Sequence, residues 1–290
     1  MTISWHALGP SLESLIRQQP AALREAVRID TLTALDSPRK AFRLEFCDGV
    51  TLKGRCLETA QQAETVWRLW QLHLRSAPVA RIVARRSEAL LEEWLPGSAI
   101  AGDREYAQIL RAAGMLLGRV HRMGTSGSIV RRIVASRWID DSLETEPLVR
   151  NQLLDEKAAG EAAALARASA PASAEWGLCH GDFCTENLLI VPERGLHVID
   201  NETICELWYD CDLARTWYRW PMGSTEFEIF LEGYRTHRQP DEFLAYFRFW
   251  TICVLLRSAI YRQRNGVSTE APLTRLLSLL RDQSRSRVMP

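Results

Sequence analysis

The stretch HGDFCTENLLIVPERGLHVID, residues 180–200, contains two carboxylates and one amide at a spacing that decides how the whole chain is interpreted. The apolar runs NLLIV and LHVID predict two short strands, and PERG between them predicts a turn. The resulting hairpin holds Asn187 and Asp200 near one another, with Asp182 on the loop before it. The sequence therefore predicts one cluster of three polar side chains.

These three side chains offer the groups that phosphoryl transfer needs. The oxygens of Asn187 and Asp200 are hard ligands that suit magnesium. Magnesium bridges phosphates and offsets charge in a transition state that requires mostly positioning and electrostatics. A separate carboxylate, Asp182, can orient an attacking hydroxyl and accept its proton.

The composition is that of an ordinary globular protein. The chain has 290 residues, of which 47% are hydrophobic and 25% are charged, and its formal net charge is zero. This balance argues against a nucleic-acid partner, which usually requires a basic face. The first residues lack the features of a signal peptide, and the apolar run FWTICVLL (249–256) is too short to span a bilayer. A cytoplasmic protein without a membrane partner is expected, and the oligomeric state is left open.

Cysteine and lysine are both informative. The seven cysteines include no CxxC pair and no spacing of a common structural zinc site, so reduced and mostly buried thiols are expected. Lysine occurs only at Lys40, Lys53 and Lys157, because arginine fills almost every other basic position. Each lysine is therefore a candidate for a specific role.

The chain changes character after Pro96-Gly97. Before that point, alternating apolar residues predict strands at 26–35, 41–46, 50–56, 79–85 and 89–95. An apolar stripe predicts a helix at 57–75. Beyond it, helices are predicted at 104–123, 147–170, 211–235, 240–264 and 272–283. The layout predicts an α+β chain with a sheet-rich N-terminal lobe (1–96), a hinge near 93–97 and a large, mostly helical lobe (97–290).

His180-Gly181-Asp182, Asn187 and Ile199-Asp200 are similar to the HGDxxxxN…ID signature of the aminoglycoside phosphotransferase and choline kinase-like family, a relative of the protein kinases. The resemblance extends over nearly the whole chain. The further matches are Lys53 with Glu64, LLEEWLPG (90–97), MLLGRVHRM (115–123) and Asp212-Leu213-Ala214.

The resemblance implies a bilobal protein-kinase-like fold and transfer of the γ-phosphoryl group of ATP or GTP to a small-molecule hydroxyl. It implies that Asp182 is the catalytic base and that Asn187 and Asp200 bind Mg²⁺. Lys53, held by Glu64, contacts the phosphates. Backbone groups of Glu93 and Leu95 meet the adenine.

The segment TLTALDSPRKAF (31–42), which should cradle the phosphates, contains no glycine. Ser37 or Lys40 would have to assist, and a catalytically silent nucleotide-binding protein is the alternative. In 201–264, nine acidic residues nearly balance eight arginines, which favours a neutral or singly charged acceptor over a polycation. A sugar, an amino alcohol or a related metabolite fits this balance. Asp212 is interpreted as a helix cap.

Overall fold

The computed structural model describes residues 8–19, 26–33, 40–100, 106–123, 130–132, 141 and 143–281. The chain forms two compact units. One comprises Met1–Ala101 and Thr185–Cys205, and the other comprises Gly102–Cys184 and Glu206–Pro290. The sequence predicted a single division between residues 96 and 97. The compact units differ from it because the segment with Asn187 and Asp200 belongs to the first unit.

The elements largely follow the predicted order. In chain order the strands are β1 (Ala26–Thr31), β2 (Lys40–Phe46), β3 (Thr51–Cys56), β4 (Ile82–Arg86), β5 (Ala89–Glu93), β6 (Ser98–Ala99), β7 (Val130–Arg132), β8 (Ser173–Cys179), β9 (Leu188–Val191), β10 (Gly195–Val198) and β11 (Cys205–Trp208). The α-helices are α1 (Pro10–Arg17), α2 (Ala60–Leu69), α3 (Tyr106–Met123), α4 (Glu146–Arg150), α5 (Glu156–Ala168), α6 (Tyr209–Arg219), α7 (Ser224–Tyr234), α8 (Asp241–Ala245), α9 (Phe247–Arg264) and α10 (Glu270–Arg281).

The first unit is built on an antiparallel sheet in the order β1-β2-β3-β5-β4. The predicted Asp-Gly hairpin joins β2 to β3, where Gly49 has a φ of 84° and Asp48 accepts a hydrogen bond from the Val50 N–H at 3.1 Å. In the register, Lys53 lies opposite Arg43 on one side and Glu92 on the other. The central strand β3 therefore presents Lys53 from the middle of the sheet.

The hairpin predicted from the HGD stretch is confirmed. β9 and β10 pair antiparallel, with Leu188 opposite Val198, and β6 pairs with the other edge of β9. One further backbone bond, from the Ile199 N–H to the Asn187 carbonyl at 2.9 Å, closes the open end of the hairpin. This bond brings Asn187 next to the residue that precedes Asp200.

Two predicted helices are divided in the structure. In 147–170 the chain turns at Gln152, whose φ is 57°, and Asp155 caps a new helix by accepting the Ala158 N–H at 2.7 Å. In 211–235, Pro221 follows the end of α6, and the next helix begins at Ser224. The sequence also gave no prediction for β8, which pairs with β7 and β11 in a three-stranded sheet.

The core of the second unit is aromatic. Trp220, Trp250, Phe230 and Phe243 are fully buried, so these aromatic side chains form part of the core. The apolar run 249–256 lies within α9, whose residues are mostly buried. None of the described helices is both long enough and apolar enough to cross a membrane.

Helices α3 and α7 approach so closely that two glycines are required at their crossing. A Cβ on Gly114 would lie 1.8 Å from the Phe230 carbonyl oxygen, and a Cβ on Gly233 would lie 1.9 Å from that of Arg111. Backbone atoms cannot move aside as a flexible side chain can. The crossing therefore depends on the absence of side chains.

We expect Gly114→Ala to lower the free energy of unfolding by about 1–3 kcal/mol or more, because the added methyl group overpacks the crossing. Gly160→Ala is the matched control, since Gly160 lies on α5 with no atom within 4 Å of the new Cβ. The control should be stabilising by about 0.5–1 kcal/mol. Urea denaturation measures both changes, and equal stabilities would contradict the close crossing.

Candidate active site

Two basic side chains on β3 converge on Asp200 in the first unit. Lys53 and Arg55 are two residues apart, so both point to the same face of the sheet. The Lys53 Nζ atom lies 2.7 Å from Asp200 Oδ1, and the Arg55 Nη2 atom lies 2.6 Å from the same oxygen. The predicted phosphate-binding lysine and the predicted metal-binding aspartate are thus in direct contact.

Asp200 adopts an uncommon backbone conformation. Its φ of 63° and ψ of 48° lie in the left-handed region, which non-glycine residues rarely occupy. Such strain persists where the surrounding structure enforces it, and it often marks a functional position. The Ile199–Asn187 backbone bond and the contacts with Lys53 and Arg55 hold the residue on both sides. Asn187 and Asp200 are therefore at the same end of the hairpin, as predicted.

Arg55 is a candidate site residue that was not predicted from the sequence. It is buried and contacts three carboxylates. Its Nε atom lies 3.8 Å from Glu92, and its Nη2 atom lies 2.6 Å from Asp200. Its Nη1 atom forms a close pair with Glu202. Its position two residues after Lys53, on the same strand face, was the available signal.

Burial and charge act in opposition in this cluster. Burial lowers the pKa of Arg55, but Glu92, Asp200 and Glu202 raise it above its usual range. Burial likewise raises the pKa of Asp200, but Arg55 and Lys53 hold it well below its usual range. Asp200 is therefore an anion at neutral pH despite its partial burial.

The predicted ion pair between Lys53 and Glu64 is wrong. Glu64 contacts Arg85 at 2.6 Å, and its side chain is 52% exposed. The reason is the phase of α2, which buries Ala63, Val66 and Leu69 and so turns Glu64 to the solvent. From the same helix, Gln62 Nε2 donates to the Glu202 carbonyl at 3.3 Å.

A cavity of about 320 Å³ lies over this cluster, within the first unit. Its lining is Leu32, Thr33, Lys40, Ala41, Lys53, Arg55, Asp200 and Glu202. Three cations and two carboxylates face one small volume. Lys40, which the sequence analysis named as a substitute for the missing glycines, is among them. Ser37 lies outside the described residues.

The two predicted adenine-binding residues flank the end of β5. The Glu93 N–H donates to the Arg81 carbonyl at 2.7 Å, and its side chain accepts from Arg194 Nη1 at 2.7 Å. Leu95 is buried in an apolar cluster with Ala80 and Val191. Its carbonyl accepts from the Gly97 N–H at 2.9 Å.

In the second unit, Asp212 holds the loop that carries Asp182. The buried Asp212 carboxylate accepts the His180 N–H at 2.8 Å and the Gly181 N–H at 3.0 Å. Gly181 has a φ of 78°, which glycine tolerates without strain. Asp212 is not a helix cap, because α6 begins at Tyr209 and the N-cap position is Trp208. The interpretation as a cap is wrong.

His121 completes this buried network. Its Nε2 atom lies 3.1 Å from Asp212, and its Nδ1 atom lies 2.8 Å from the Tyr234 hydroxyl. Burial lowers the pKa of His121, so the neutral ring donates from Nε2 and accepts from Tyr234 at Nδ1. Burial raises the pKa of Asp212, but the hydrogen bonds that its carboxylate accepts lower the pKa by more. The pKa of Asp212 therefore lies below its usual value.

Among the described residues, His121, Cys179 and Asp212 form one cluster whose potential metal-binding atoms lie within 4.8 Å of one another. Both His121 nitrogens and both Asp212 oxygens are already used in hydrogen bonds. The Cys179 thiol donates to the carbonyls of Leu207 and Trp208. The cluster is therefore a hydrogen-bond network.

Asp182 itself contacts two arginines of α6. Its Oδ1 atom lies 3.3 Å from Nε and from Nη2 of Arg215, and 3.1 Å from Nε of Arg219. Neither arginine was predicted from the sequence to be a site residue. The available signal was their spacing of four residues on the helix that also carries Asp212.

The sequence profile of the phosphotransferase enzyme family matches residues 55–244. The chain belongs to the phosphotransferase enzyme family. Among curated proteins, no sequence matches the chain significantly.

Solved structures of kinases resemble this family member at low sequence identity. The choline kinase LicA from Streptococcus pneumoniae has a TM-score of 0.67 at 16% identity, covering 94% of this chain and 100% of its own. The aminoglycoside phosphotransferase APH(4)-Ia, in a ternary complex with ADP and hygromycin B, has a TM-score of 0.65 at 12% identity, covering 90% and 96%. The amicoumacin kinase hAmiN, in complex with AMP-PNP, Ca²⁺ and Ami, has a TM-score of 0.63 at 15% identity, covering 93% and 91%.

These likenesses show the fold. The phosphotransferase has the predicted protein-kinase-like α+β fold, with a sheet-rich N-terminal region and a helical C-terminal region. The predicted family is also confirmed.

We expect Arg55→Met to lower the free energy of unfolding by about 3–5 kcal/mol, because it leaves the buried Glu92 carboxylate without its cation. Arg85→Met is the control, since it removes an exposed ion pair worth about 0–1 kcal/mol. Adding Glu92→Gln to Arg55→Met should restore part of the loss. If denaturant titration gave similar losses for the two arginine variants, Arg55 would not hold a buried charge cluster.

Proposed function

We propose that this phosphotransferase moves the γ-phosphoryl group of ATP or GTP to a hydroxyl of a small molecule such as a sugar, an amino alcohol or a related metabolite. The observation that carries the proposal is the contact of Lys53 and Arg55 with Asp200 at the cavity of the first unit. Cations for phosphates and an anionic oxygen for a metal ion are joined there. This is the chemistry that nucleotide triphosphates require.

Lys53 and Lys40 are the proposed phosphate-binding cations. Both line the cavity, and an ammonium group on a flexible stem acts as a point charge toward phosphate. Lys40 offers a positive charge beside a segment that contains no glycine. Arg55 is buried among carboxylates, so its proposed role is to orient Asp200.

The donor set at the end of the hairpin fits Mg²⁺. An amide oxygen from Asn187 and a carboxylate from Asp200 are hard ligands, and a side-chain exposure of 38% leaves Asp200 accessible. When bound, the ion offsets the charge of the phosphates. Asn187 and Asp200 would hold it.

The nucleoside is proposed to bind at the end of β5. The Glu93 N–H and the Leu95 carbonyl are used within the protein. This leaves the Glu93 carbonyl and the Leu95 N–H as the groups to meet the base. The similarity to structures that contain ADP or AMP-PNP supports a nucleotide as co-substrate.

Asp182 is the proposed base. The acceptor oxygen forms a bond to the γ-phosphorus, the bond from the γ-phosphorus to the β–γ bridging oxygen breaks, and the hydroxyl proton passes to Asp182. The products are the phosphorylated acceptor and the nucleoside diphosphate. The backbone bonds to Asp212 would keep the loop rigid during this step.

The alternative is a catalytically silent nucleotide-binding protein, which the glycine-free segment 31–42 motivates. It predicts nucleotide binding without turnover on any hydroxyl compound. The presence of Asp182, which a pure binder does not need, favours the active enzyme. The cytoplasmic location and the lack of nucleic-acid or membrane partners remain predictions from the composition.

We expect Asp182→Asn to retain nucleotide affinity and to lose turnover by roughly a hundredfold or more, the scale of a general base. A coupled assay for ADP, run over a panel of sugars and amino alcohols, measures turnover, and calorimetry measures nucleotide binding. Asp241→Asn, an exposed carboxylate on α8, is the control and should behave as the parent enzyme. Turnover by Asp182→Asn near the parental rate would remove Asp182 from the mechanism. Nucleotide binding with no turnover by the parent would favour the silent protein.

We expect Asp200→Ala to abolish the dependence of nucleotide affinity on magnesium, because the variant lacks the anionic metal ligand. Calorimetric titrations of AMP-PNP with and without magnesium measure this dependence. Glu64→Gln is the control, since Glu64 contacts Arg85 and not Lys53. An unchanged magnesium response in Asp200→Ala would mean that other residues hold the metal.

A further inference from the structure

Arg215 and Arg219 place an excess of positive charge beside the proposed base. They lie four residues apart on α6, and both approach the same oxygen of Asp182. One carboxylate and two guanidinium groups leave this trio with one positive charge in excess. Neither arginine is needed for the proton transfer proposed for Asp182.

The contacts in this trio are long. Their lengths of 3.1–3.3 Å exceed the roughly 2.7–2.9 Å that is typical of charge-assisted bonds. Each guanidinium carries five N–H donors, of which one carboxylate oxygen can engage only a few. The exposed fraction is 43% for the Arg215 side chain and 29% for Arg219. Arg215 therefore retains donors that a ligand in solvent can reach, and Arg219 lies beside it, with its Nη2 atom also donating to Cys184 Sγ at 3.6 Å.

We propose that the acceptor carries an anionic group, a carboxylate or a phosphate, in addition to its hydroxyl, and that Arg215 and Arg219 bind this group. Two forked donors at one place match the oxygens of a carboxylate or phosphate. Asp182 would then orient the hydroxyl while the two arginines fix the other end of the same molecule. The inference rests on the proposed function and narrows its acceptor class.

The same charges work against a cationic acceptor. A polycation would meet Arg215 and Arg219 as soon as its hydroxyl approached Asp182, and like charges in contact cost free energy. The balance of acidic and basic residues in 201–264 favoured a neutral or singly charged acceptor. The geometry around Asp182 instead favours acceptors that carry an anionic group, a carboxylate or a phosphate.

A different use of the two arginines makes a different prediction. If they bound the transferring phosphoryl group, their removal would weaken nucleotide use and would affect all acceptors equally. If they bind the acceptor, their removal changes the preference between acceptors and leaves nucleotide affinity intact. The ratio between matched acceptors therefore separates the two roles.

The test uses two pairs of probes that differ in one anionic group: 4-hydroxybutyrate with 1,4-butanediol, and glycerol 3-phosphate with glycerol. Calorimetry on the full chain gives equilibrium binding, which needs no turnover. We expect at least one anionic probe to bind roughly tenfold or more tightly than its neutral partner. In Arg215→Gln and in Arg219→Gln this preference should fall to about twofold or less.

Arg111→Gln is the matched control, because it makes the same charge change on the exposed face of α3, where Arg111 pairs with Glu232. It should keep the full preference. Arg215→Lys keeps the charge but lacks the fork, so it should retain part of the preference, and thermal melting shows that each variant is folded. Equal binding within both pairs by the parent, or an undiminished preference in both glutamine variants, would overturn the inference. Loss of AMP-PNP affinity at a constant preference would also overturn it.

Failure of the proposed function is recognised separately. It would be a parent enzyme that binds AMP-PNP but releases no ADP with any hydroxyl compound. The preference for anionic probes is measured without turnover, so it stands or falls independently of that result.

Discussion

The second unit depends on one buried carboxylate. Asp212 is fully buried, and it can remain charged there because two backbone N–H groups and His121 donate to it. These bonds fix the backbone of His180 and Gly181, the two residues that precede Asp182. The position of the proposed base is thus set by main-chain geometry. Tyr234 on α7 contacts His121 in turn, so the packing of α7 influences the loop that carries Asp182.

In the first unit the buried charge at the centre of the candidate site is a cation, Arg55. Lys53 and Arg55 face Asp200, while Glu92 and Glu202 surround Arg55, so two cations meet three carboxylates. The cluster carries one negative charge in excess, which suits the addition of a divalent cation followed by anionic phosphates. Arg55 contacts Asp200, the proposed metal ligand, directly, whereas Glu64 was expected to pair with Lys53.

Contacts between residues that are close in the sequence could be predicted, whereas contacts that depend on packing between distant elements could not. Asn187 and Asp200 could be placed together because a hairpin with a short turn determines its own register. Glu64 could not be placed, because the apolar stripe of α2 fixes which face is buried but not which polar residue reaches the sheet. Arg215 and Arg219 were counted only as part of a charge balance. Their contact with Asp182 depends on how α6 packs, which no local pattern specifies.

The distribution of lysine and arginine has a physical basis. Of three lysines, Lys40 and Lys53 line the cavity, while Lys157 is an exposed partner of Glu161 on α5. Arginine occupies the positions that contact several carboxylates or share one, as Arg55 and the two arginines beside Asp182 do. A planar fork can satisfy several fixed acceptors at once, whereas an ammonium group can follow a phosphate that moves during transfer. Within the first unit, the fork of Arg55 contacts three of the protein's own carboxylates, whereas Lys40 and Lys53 place ammonium groups at the cavity where the phosphates are proposed to bind.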